Sequence, residues 1–193
     1  MLLYLTRHGE TDWNSAGRWQ GHTDVPLNAR GYSQARAIGE ALKGAQLSAV
    51  VSSDLARARE TARVAAEVLG VPLAYEDPGL RERAFGPFEG LTRDECLRLH
   101  PDAWRAWVEE HRAPAGAEGR KELGHRVTAA IARAAEWAGS VDGRLLIVTH
   151  GGSLRAAIVA GTGVLPAPVA NGAIWRIEWS GRIVSAEPMP PGG

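Results

Sequence analysis

The chain has little cysteine, and it has no long apolar run and no excess charge of one sign. A single cysteine, Cys96, excludes an intrachain disulfide and a thiolate metal cluster. The opening residues lack the basic start and the long apolar core of a signal peptide, and they are too few to span a membrane. Lysine and arginine number 22 against 22 acidic residues, which disfavours a general binder of nucleic acid or anionic membrane. We therefore expect a cytoplasmic protein with neither kind of partner.

Lysine is scarce as well. Lys43 and Lys121 are the only lysines, and every other residue in the count of basic residues is arginine. Arginine makes planar, bidentate contacts with carboxylate and phosphate. Genome composition would explain this bias equally well, so only the placement of the arginines can decide its meaning. A length of 193 residues with 45% hydrophobic content predicts one globular domain, residues 1–193.

Short apolar runs alternate with helical periodicity along most of the chain. Runs without polar alternation predict three buried parallel strands, at Leu2 to Thr6, Leu47 to Ser52 and Leu145 to Thr149. Apolar residues at helical spacing predict amphipathic helices between and after the strands, closed by Gly44, Gly70, Gly139 and Gly161. This alternation predicts an α/β fold, a three-layer α/β/α sandwich whose mainly parallel central sheet carries helices on both faces.

Three later segments depart from the alternation. Residues 174–186 alternate around Ser180-Gly181 and predict an antiparallel hairpin at the sheet edge. Residues 84–120 break into aromatic, proline- and glycine-bearing pieces with short helices at Thr92 to Leu99 and Asp102 to His111, and we interpret them as a lid or insertion. Pro190 to Gly193 are expected to fray.

The residues that follow the predicted strands carry the chemistry, because ligands of open α/β sheets bind outside the carboxyl ends of the strands. The first strand leads into Arg7-His8-Gly9, the second into Ser53 and Arg57, and the third into His150-Gly151-Gly152. Two histidines and two arginines should therefore meet at one sheet edge, where the small glycines let backbone N–H groups approach a ligand. Four groups able to carry positive charge predict a phosphate-binding site.

Such a site can transfer a phosphoryl group without a metal ion. A neutral imidazole can attack phosphorus while arginines stabilise the charge on the equatorial oxygens. Either histidine alone could merely cap its strand; the pair, flanked by arginine and glycine at equivalent strand ends, indicates a site. The pattern leaves open which histidine attacks and which one holds the phosphate.

The stretch Leu5-Thr6-Arg7-His8-Gly9-Glu10-Thr11 resembles the signature of the histidine phosphatase superfamily, also called phosphoglycerate-mutase-like. Further segments resemble that family's motifs in family order: Trp13 to Leu27, Gly31 to Ala35, Ser52 to Ala62, Leu80 to Gly90 and Thr149 to Gly152. Together they span the chain from Leu2 to Ala157. The resemblance implies the phosphoglycerate-mutase-like fold.

The resemblance also implies a role for individual residues. His8 would be the phosphorylated nucleophile, and Arg7, Arg57 and His150 would form the phosphate pocket. Glu82 would give a proton to the leaving oxygen, since an alkoxide needs one and a carboxyl beside an anionic site can keep one. The resemblance further implies a set of substrate-binding residues: Arg7, Asn14, Gln20, Gly21, Arg57, Glu82, His150 and Gly151.

Other acidic and histidine side chains compete for some of these roles. Glu10, Asp12 and Glu89 are rivals of Glu82, although helix capping or a solvated loop would explain each of them. His22 lies in a matched loop, where we expect an exposed polar residue.

The superfamily contains both phosphatases and mutases. Resemblance to the mutases would require a dense basic patch after the acid segment, yet Arg93, Arg98, Arg105 and Arg112 stand apart. This spacing favours a phosphatase that hydrolyses small-molecule phosphate monoesters through a phosphohistidine, with a cofactor-dependent phosphoglycerate mutase as the alternative. No cofactor and no metal are implied.

Two hypotheses that assign the protein to another functional class stay open. A metal-dependent hydrolase could use His8, His150 and carboxylates, but the chain has no H-E-x-x-H spacing. A non-catalytic phosphate-binding module would leave the nucleophile and the acid idle. The physiological substrate and the oligomeric state, including a homodimer, stay undetermined by sequence.

Overall fold

The structure, a computed structural model, describes residues 1–141 and 143–190, so the fraying expected for Pro191 to Gly193 lies outside the described residues. The strands are β1 (Leu2–Arg7), β2 (Ala49–Ser52), β3 (Leu73–Glu76), β4 (Leu145–Thr149), β5 (Ile174–Trp179) and β6 (Ile183–Pro188). The helices are α1 (Asp12–Ser15), α2 (Ala29–Leu42), α3 (Ala56–Leu69), α4 (Arg93–Leu99), α5 (Pro101–Val108), α6 (Arg120–Ser140) and α7 (Gly151–Thr162), with short 3-10 helices at Pro78–Leu80 and Gly86–Phe88. None of the helices in the described ranges is long and apolar enough to cross a membrane.

The six strands form one sheet in the order β3-β2-β4-β1-β5-β6. The first four strands in that order are parallel, while β5 and β6 are antiparallel to their neighbours. Alternate residues of β4 serve opposite faces: Leu145 and Ile147 pack towards α6 and α7, and Leu146 and Val148 towards α2 and α3. The predicted three-layer sandwich with its late hairpin is therefore confirmed.

The structure differs from the sequence predictions at one strand and at two helix ends. The edge strand β3 was not predicted; it has only four residues, of which three are partly buried and Glu76 is exposed. Gly139 and Gly161 lie inside α6 and α7, whereas α7 ends at the left-handed Gly163. Gly161 is needed instead for close packing, since a Cβ there would overlap Ile183 of β6.

Residues 84–120 contain both predicted short helices, α4 and α5, and an aromatic cluster of their own. Phe88 lies at its centre, with ring centroids 5.4 Å from Trp104 and 5.7 Å from Trp107. Phe85 packs edge-on against Trp19, at 4.6 Å between centroids. This cluster is separate from the two cores that flank the sheet.

Helix α2 begins directly against the segment that follows β1. Glu10 N–H donates to Gln34 Oε1 at 2.8 Å, and the two backbones touch where Gly9 faces Gly31. A Cβ on Gly31 would overlap the backbone of Glu10, and a Cβ on Gly9 would overlap that of Gly31. The two glycines therefore set the distance between α2 and the residues around His8.

Gly31→Ala should lower the free energy of unfolding by about 1–3 kcal/mol, because two backbones must separate to admit the methyl group. Gly44→Ala is the matched control, since a Cβ there meets no atom within 4 Å. Thermal unfolding should show a lower Tm for Gly31→Ala only. Equal Tm values for the two variants would contradict this account of the packing.

Candidate active site

A cavity of about 290 Å³ opens at the carboxyl edge of the sheet. All but one of the predicted site residues line it: Arg7, His8, Asn14, Gln20, Gly21, Arg57, Glu82 and Gly151. The exception is His150, which lies fully buried with its ring centroid 5.1 Å from that of His8. The tertiary structure thus brings the predicted residues together.

The parallel sheet explains why the two histidines meet. Arg7 of β1 pairs in register with Thr149 of β4, so the residue after each strand emerges beside the other. The backbone N–H of His8 continues the ladder and donates to Thr149 O at 2.9 Å. The histidines are 142 positions apart in the sequence, and the register of β1 with β4 brings them together.

The geometry of His8 favours a neutral imidazole with a defined tautomer. Its Nδ1 lies 2.6 Å from Gly9 O, and because a carbonyl can only accept, Nδ1 carries the proton. The lone pair is then on Nε2. Burial, followed by the positive charges of Arg57 and Arg7, holds the pKa of His8 well below its ordinary value. His8 therefore has the protonation state that a nucleophile needs.

The arginines supply the positive charge of the site. The fully buried Arg57 donates from Nη1 to Thr23 O at 2.9 Å and from Nη2 to Gly21 O at 2.7 Å, and Arg7 donates from Nη1 to Val169 O at 2.7 Å. Within the described part of the chain neither forms a salt bridge, and both Nε atoms are buried without a partner. Burial lowers the pKa of Arg57 to about 10, which leaves it charged at neutral pH.

His150 is held differently from His8. Its Nε2 lies 2.9 Å from Ser53 Oγ, while its buried Nδ1 has no partner among the described residues. Burial and the neighbouring Arg57 lower its pKa well below the ordinary value, so this imidazole is neutral as well. The sequence suggested that two histidines and two arginines could be cationic. Of these four side chains, only the two arginines are charged when no ligand is bound.

Glu82 reaches the cavity from the segment after the first 3-10 helix. Its Oε2 accepts from Gly152 N–H at 2.9 Å and its Oε1 from Arg83 N–H at 2.8 Å. A Cβ on Gly152 would overlap the carboxylate in this position, so a larger residue there would displace the Glu82 carboxyl. The carboxyl group is therefore fixed at the beginning of α7.

The three rival carboxylates lie outside the cavity lining. Glu89 accepts from the backbone of His22, Thr23 and Phe85. Burial raises the pKa of Glu89, but these bonds and that of the Thr23 hydroxyl outweigh it and lower the pKa overall. Glu10 binds Asn28 and Ser15, and the exposed Asp12 lies in the first turn of α1. These contacts indicate that Glu89 and Glu10 have structural roles and that Asp12 is a solvated residue.

The weaker predictions are also placed at the cavity. Asn14 Oδ1 accepts from Thr11 and Asn171, which leaves its Nδ2 available as a donor. Gln20 is 7% exposed and its Oε1 has no partner in the described chain. Gly21 contributes its carbonyl to Arg57, and Gly151 is the first residue of α7, where the N–H group has no acceptor within the helix.

Sequence reasoning missed Asn171 and Arg155, and it expected His22 to be exposed. Asn171 donates from Nδ2 to His8 O and to Asn14 Oδ1, both at 3.1 Å. It lies in the loop before β5, which no motif marks. Arg155 lines the cavity one turn after Gly151, a spacing that could have found it. His22, expected to be exposed, is half-buried with Nε2 2.8 Å from Glu82 O.

Comparison with known proteins identifies the family. Residues 3–183 match the histidine phosphatase superfamily (branch 1), and the chain belongs to that superfamily. A metal-independent phosphoserine phosphatase of Arabidopsis thaliana is 40% identical over 158 residues, which cover 80% of this chain and 66% of the relative. Phosphoglycerate mutase-like protein 4 of the same plant is 38% identical over 157 residues, covering 79% of this chain and 67% of the relative. This chain thus spans about two thirds of the length of both.

Solved structures of phosphatases share the fold. A mycobacterial glucosyl-3-phosphoglycerate phosphatase in complex with VO3 superposes with a TM-score of 0.82 at 30% identity, covering 97% of this chain and 96% of that one. The alpha-ribazole phosphatase of Shigella flexneri gives 0.81 at 31%, covering 93% and 91%. The resemblance and the fold inferred from the sequence are confirmed, and phosphatase function is supported.

The buried histidines predict how stability depends on pH. Both titrate near 6.5 when unfolded and well below it when folded, so below pH 6.5 the unfolded state binds more protons. The free energy of unfolding should then fall as pH falls, by about 1.4 kcal/mol per pH unit for each histidine. Denaturant unfolding of His8→Asn in phosphate-free buffer should show a shallower slope between pH 6.5 and 5.

The control for this measurement is His125→Asn, which changes an exposed histidine on α6. It should keep the wild-type slope. A wild-type slope in His8→Asn would mean that His8 is protonated in the folded protein.

Proposed function

We propose that this protein hydrolyses small-molecule phosphate monoesters through a phosphohistidine at His8, without a metal ion. The observation that carries the proposal is the tautomer of His8: Nδ1 donates to Gly9 O, and the Nε2 lone pair belongs to a neutral ring beside Arg7 and Arg57, whose Nε atoms have no partner among the described residues. A neutral nucleophile next to fixed positive charge suits attack on a phosphate dianion.

The first half-reaction makes the phosphoenzyme. Arg7, Arg57 and the Gly151 N–H hold the phosphate oxygens, and His8 Nε2 forms a bond to phosphorus. The bond from phosphorus to the alcohol oxygen breaks, its electron pair stays on that oxygen, and Glu82 supplies the proton that makes the alcohol. In the second half-reaction water attacks phosphorus, Glu82 takes its proton, and His8 leaves as the neutral imidazole.

The lid arginines support hydrolysis over phosphoryl return. Arg93, Arg98, Arg105 and Arg112 are exposed and do not line the cavity, and the last two face Asp102 and Glu110. They offer no second phosphate site beside His8. The proposal also includes the single domain 1–193 with residues 84–120 as its lid, a cytoplasmic location and the absence of nucleic-acid and membrane partners.

His8→Ala should abolish both the covalent adduct and turnover of p-nitrophenyl phosphate. The wild-type adduct should be acid-labile and base-stable, and turnover should persist in EDTA. His125→Ala should form the adduct normally. Normal turnover in His8→Ala would refute the assignment, loss of activity in EDTA would favour a metal-dependent hydrolase, and binding without turnover would favour a phosphate-binding module.

Phosphate release should exceed phosphoryl transfer. The measurement is a coupled mutase assay with 3-phosphoglycerate and 2,3-bisphosphoglycerate, run beside phosphate release from a panel of phosphate esters. We expect faster phosphate release because the lid arginines Arg93, Arg98, Arg105 and Arg112 do not line the cavity. A mutase rate above every phosphatase rate would reverse the assignment.

Glu82→Gln should slow phosphoenzyme formation much more with an alkyl phosphate than with p-nitrophenyl phosphate. An alkoxide needs the proton, whereas p-nitrophenolate departs almost unaided, and general acid catalysis is worth about 10²–10⁴-fold. Burst kinetics isolates this step from the common hydrolysis of the phosphoenzyme. An equal loss with both substrates would give Glu82 a binding role in place of the acid role.

A further inference from the structure

Arg126, on α6, has every donor of its guanidinium group engaged. Nε donates to Glu118 Oε1 at 2.8 Å and Nη2 to Glu118 Oε2 at 2.6 Å. Nη1 donates to Gly79 O and to Arg81 O, both at 3.0 Å, and Nη2 also donates to Glu82 O at 3.2 Å. A guanidinium has five N–H bonds, and five acceptors surround this one.

Three of those acceptors belong to the short segment that carries the candidate acid. The carbonyls of Gly79, Arg81 and Glu82 accept from Arg126, whereas the Glu82 carboxyl accepts from Gly152 at the beginning of α7. Arg126 does not line the cavity. Any effect of Arg126 on the reaction must therefore be indirect, and its direct contacts with the acid segment are those with the three carbonyls.

The remaining partner joins this segment to the end of the lid. Glu118 lies just before α6, its side chain is 15% exposed, and its backbone carbonyl accepts from Arg83 Nε at 2.7 Å. Arg83 in turn stacks on the Trp107 ring of α5, with its guanidinium carbon 3.7 Å from the ring centroid. The contacts of Arg126, Glu118 and Arg83 thus connect the acid segment, the lid and α6.

We infer that Arg126 is a positioning residue that fixes the main chain of Glu82, so that its carboxyl group meets the oxygen of the leaving alcohol. The inference rests on the proposed function, because it concerns the proton delivered in the first half-reaction. Displacement of a catalytic group by about 1 Å can cost about 10²-fold in rate. Lysine cannot replace Arg126, since three donors from one nitrogen cannot span five acceptors in a plane.

The test measures phosphoenzyme formation by burst kinetics for Arg126→Lys, Arg126→Met and the control Arg133→Met. Arg133 lies two turns further along α6 and forms a bidentate pair with Asp77, so its removal also costs α6 one ion pair. It leaves the three carbonyl contacts of Arg126 in place. Each variant is assayed with an alkyl phosphate and with p-nitrophenyl phosphate, at least 10 °C below its own Tm.

Both Arg126 variants should lose about 10- to 100-fold with the alkyl phosphate and only a few-fold with the aryl phosphate. Arg133→Met should keep the wild-type ratio of the two rates. In Glu82→Gln/Arg126→Lys the ratio should fall no further than in Glu82→Gln alone, because both changes act on the same proton.

Equal losses with the two substrates, or a wild-type ratio in Arg126→Lys, would overturn the inference. A lower Tm with an unchanged ratio would make Arg126 merely structural, and if Arg126→Met fails to fold, the Arg126→Lys ratio still decides. Failure of the proposed function is a separate result, because it would appear as the absence of a phosphohistidine in the wild-type protein.

Discussion

Two arginines that form no salt bridge with the described residues dominate the electrostatics of the site. Arg57 is fully buried and Arg7 partly buried, and both donate to backbone carbonyls, those of Gly21, Thr23 and Val169. Carbonyl dipoles orient a cation but do not neutralise it, and removing a charge from water is costly unless an opposite charge is near. Burial outweighs the attraction of the nearby Glu82 carboxyl and lowers the pKa of both arginines, so an anionic ligand would stabilise their charge further.

The state of the histidines follows from burial and from the neighbouring arginines. Burial is the main cause that holds the pKa of His8 and His150 low, and the positive charges of Arg57 and Arg7, which would attract a phosphate dianion, lower it further. The carbonyl of Gly9 then selects which nitrogen of His8 carries the proton. The arginines thus contribute both to binding of the anion and to the neutral state of the nucleophile.

The supporting structure surrounds this charge with fixed backbone. Gly9 and Gly31 allow α2 to press against the residues after β1, and Gly152 leaves room for the Glu82 carboxyl at the start of α7. Arg126 donates hydrogen bonds to three backbone carbonyls of residues 79–82. The glycines allow close packing of the backbone, and Arg126 forms hydrogen bonds with the loop that carries Glu82. Both features limit how far the catalytic groups can move.

The sequence by itself determined the layered α/β fold and most of the site, because buried parallel strands are continuous apolar runs and ligands bind where such strands end. That local logic found His8 and His150, and the resemblance added the role of Glu82. Tertiary structure alone decided that the histidines are neutral, that Asn171 contacts the site, and that Glu89 and Glu10 lie outside it. Protonation depends on burial and on charges distant in sequence, and a loop residue such as Asn171 reaches its partner only after the chain has folded. No periodicity or motif records such contacts.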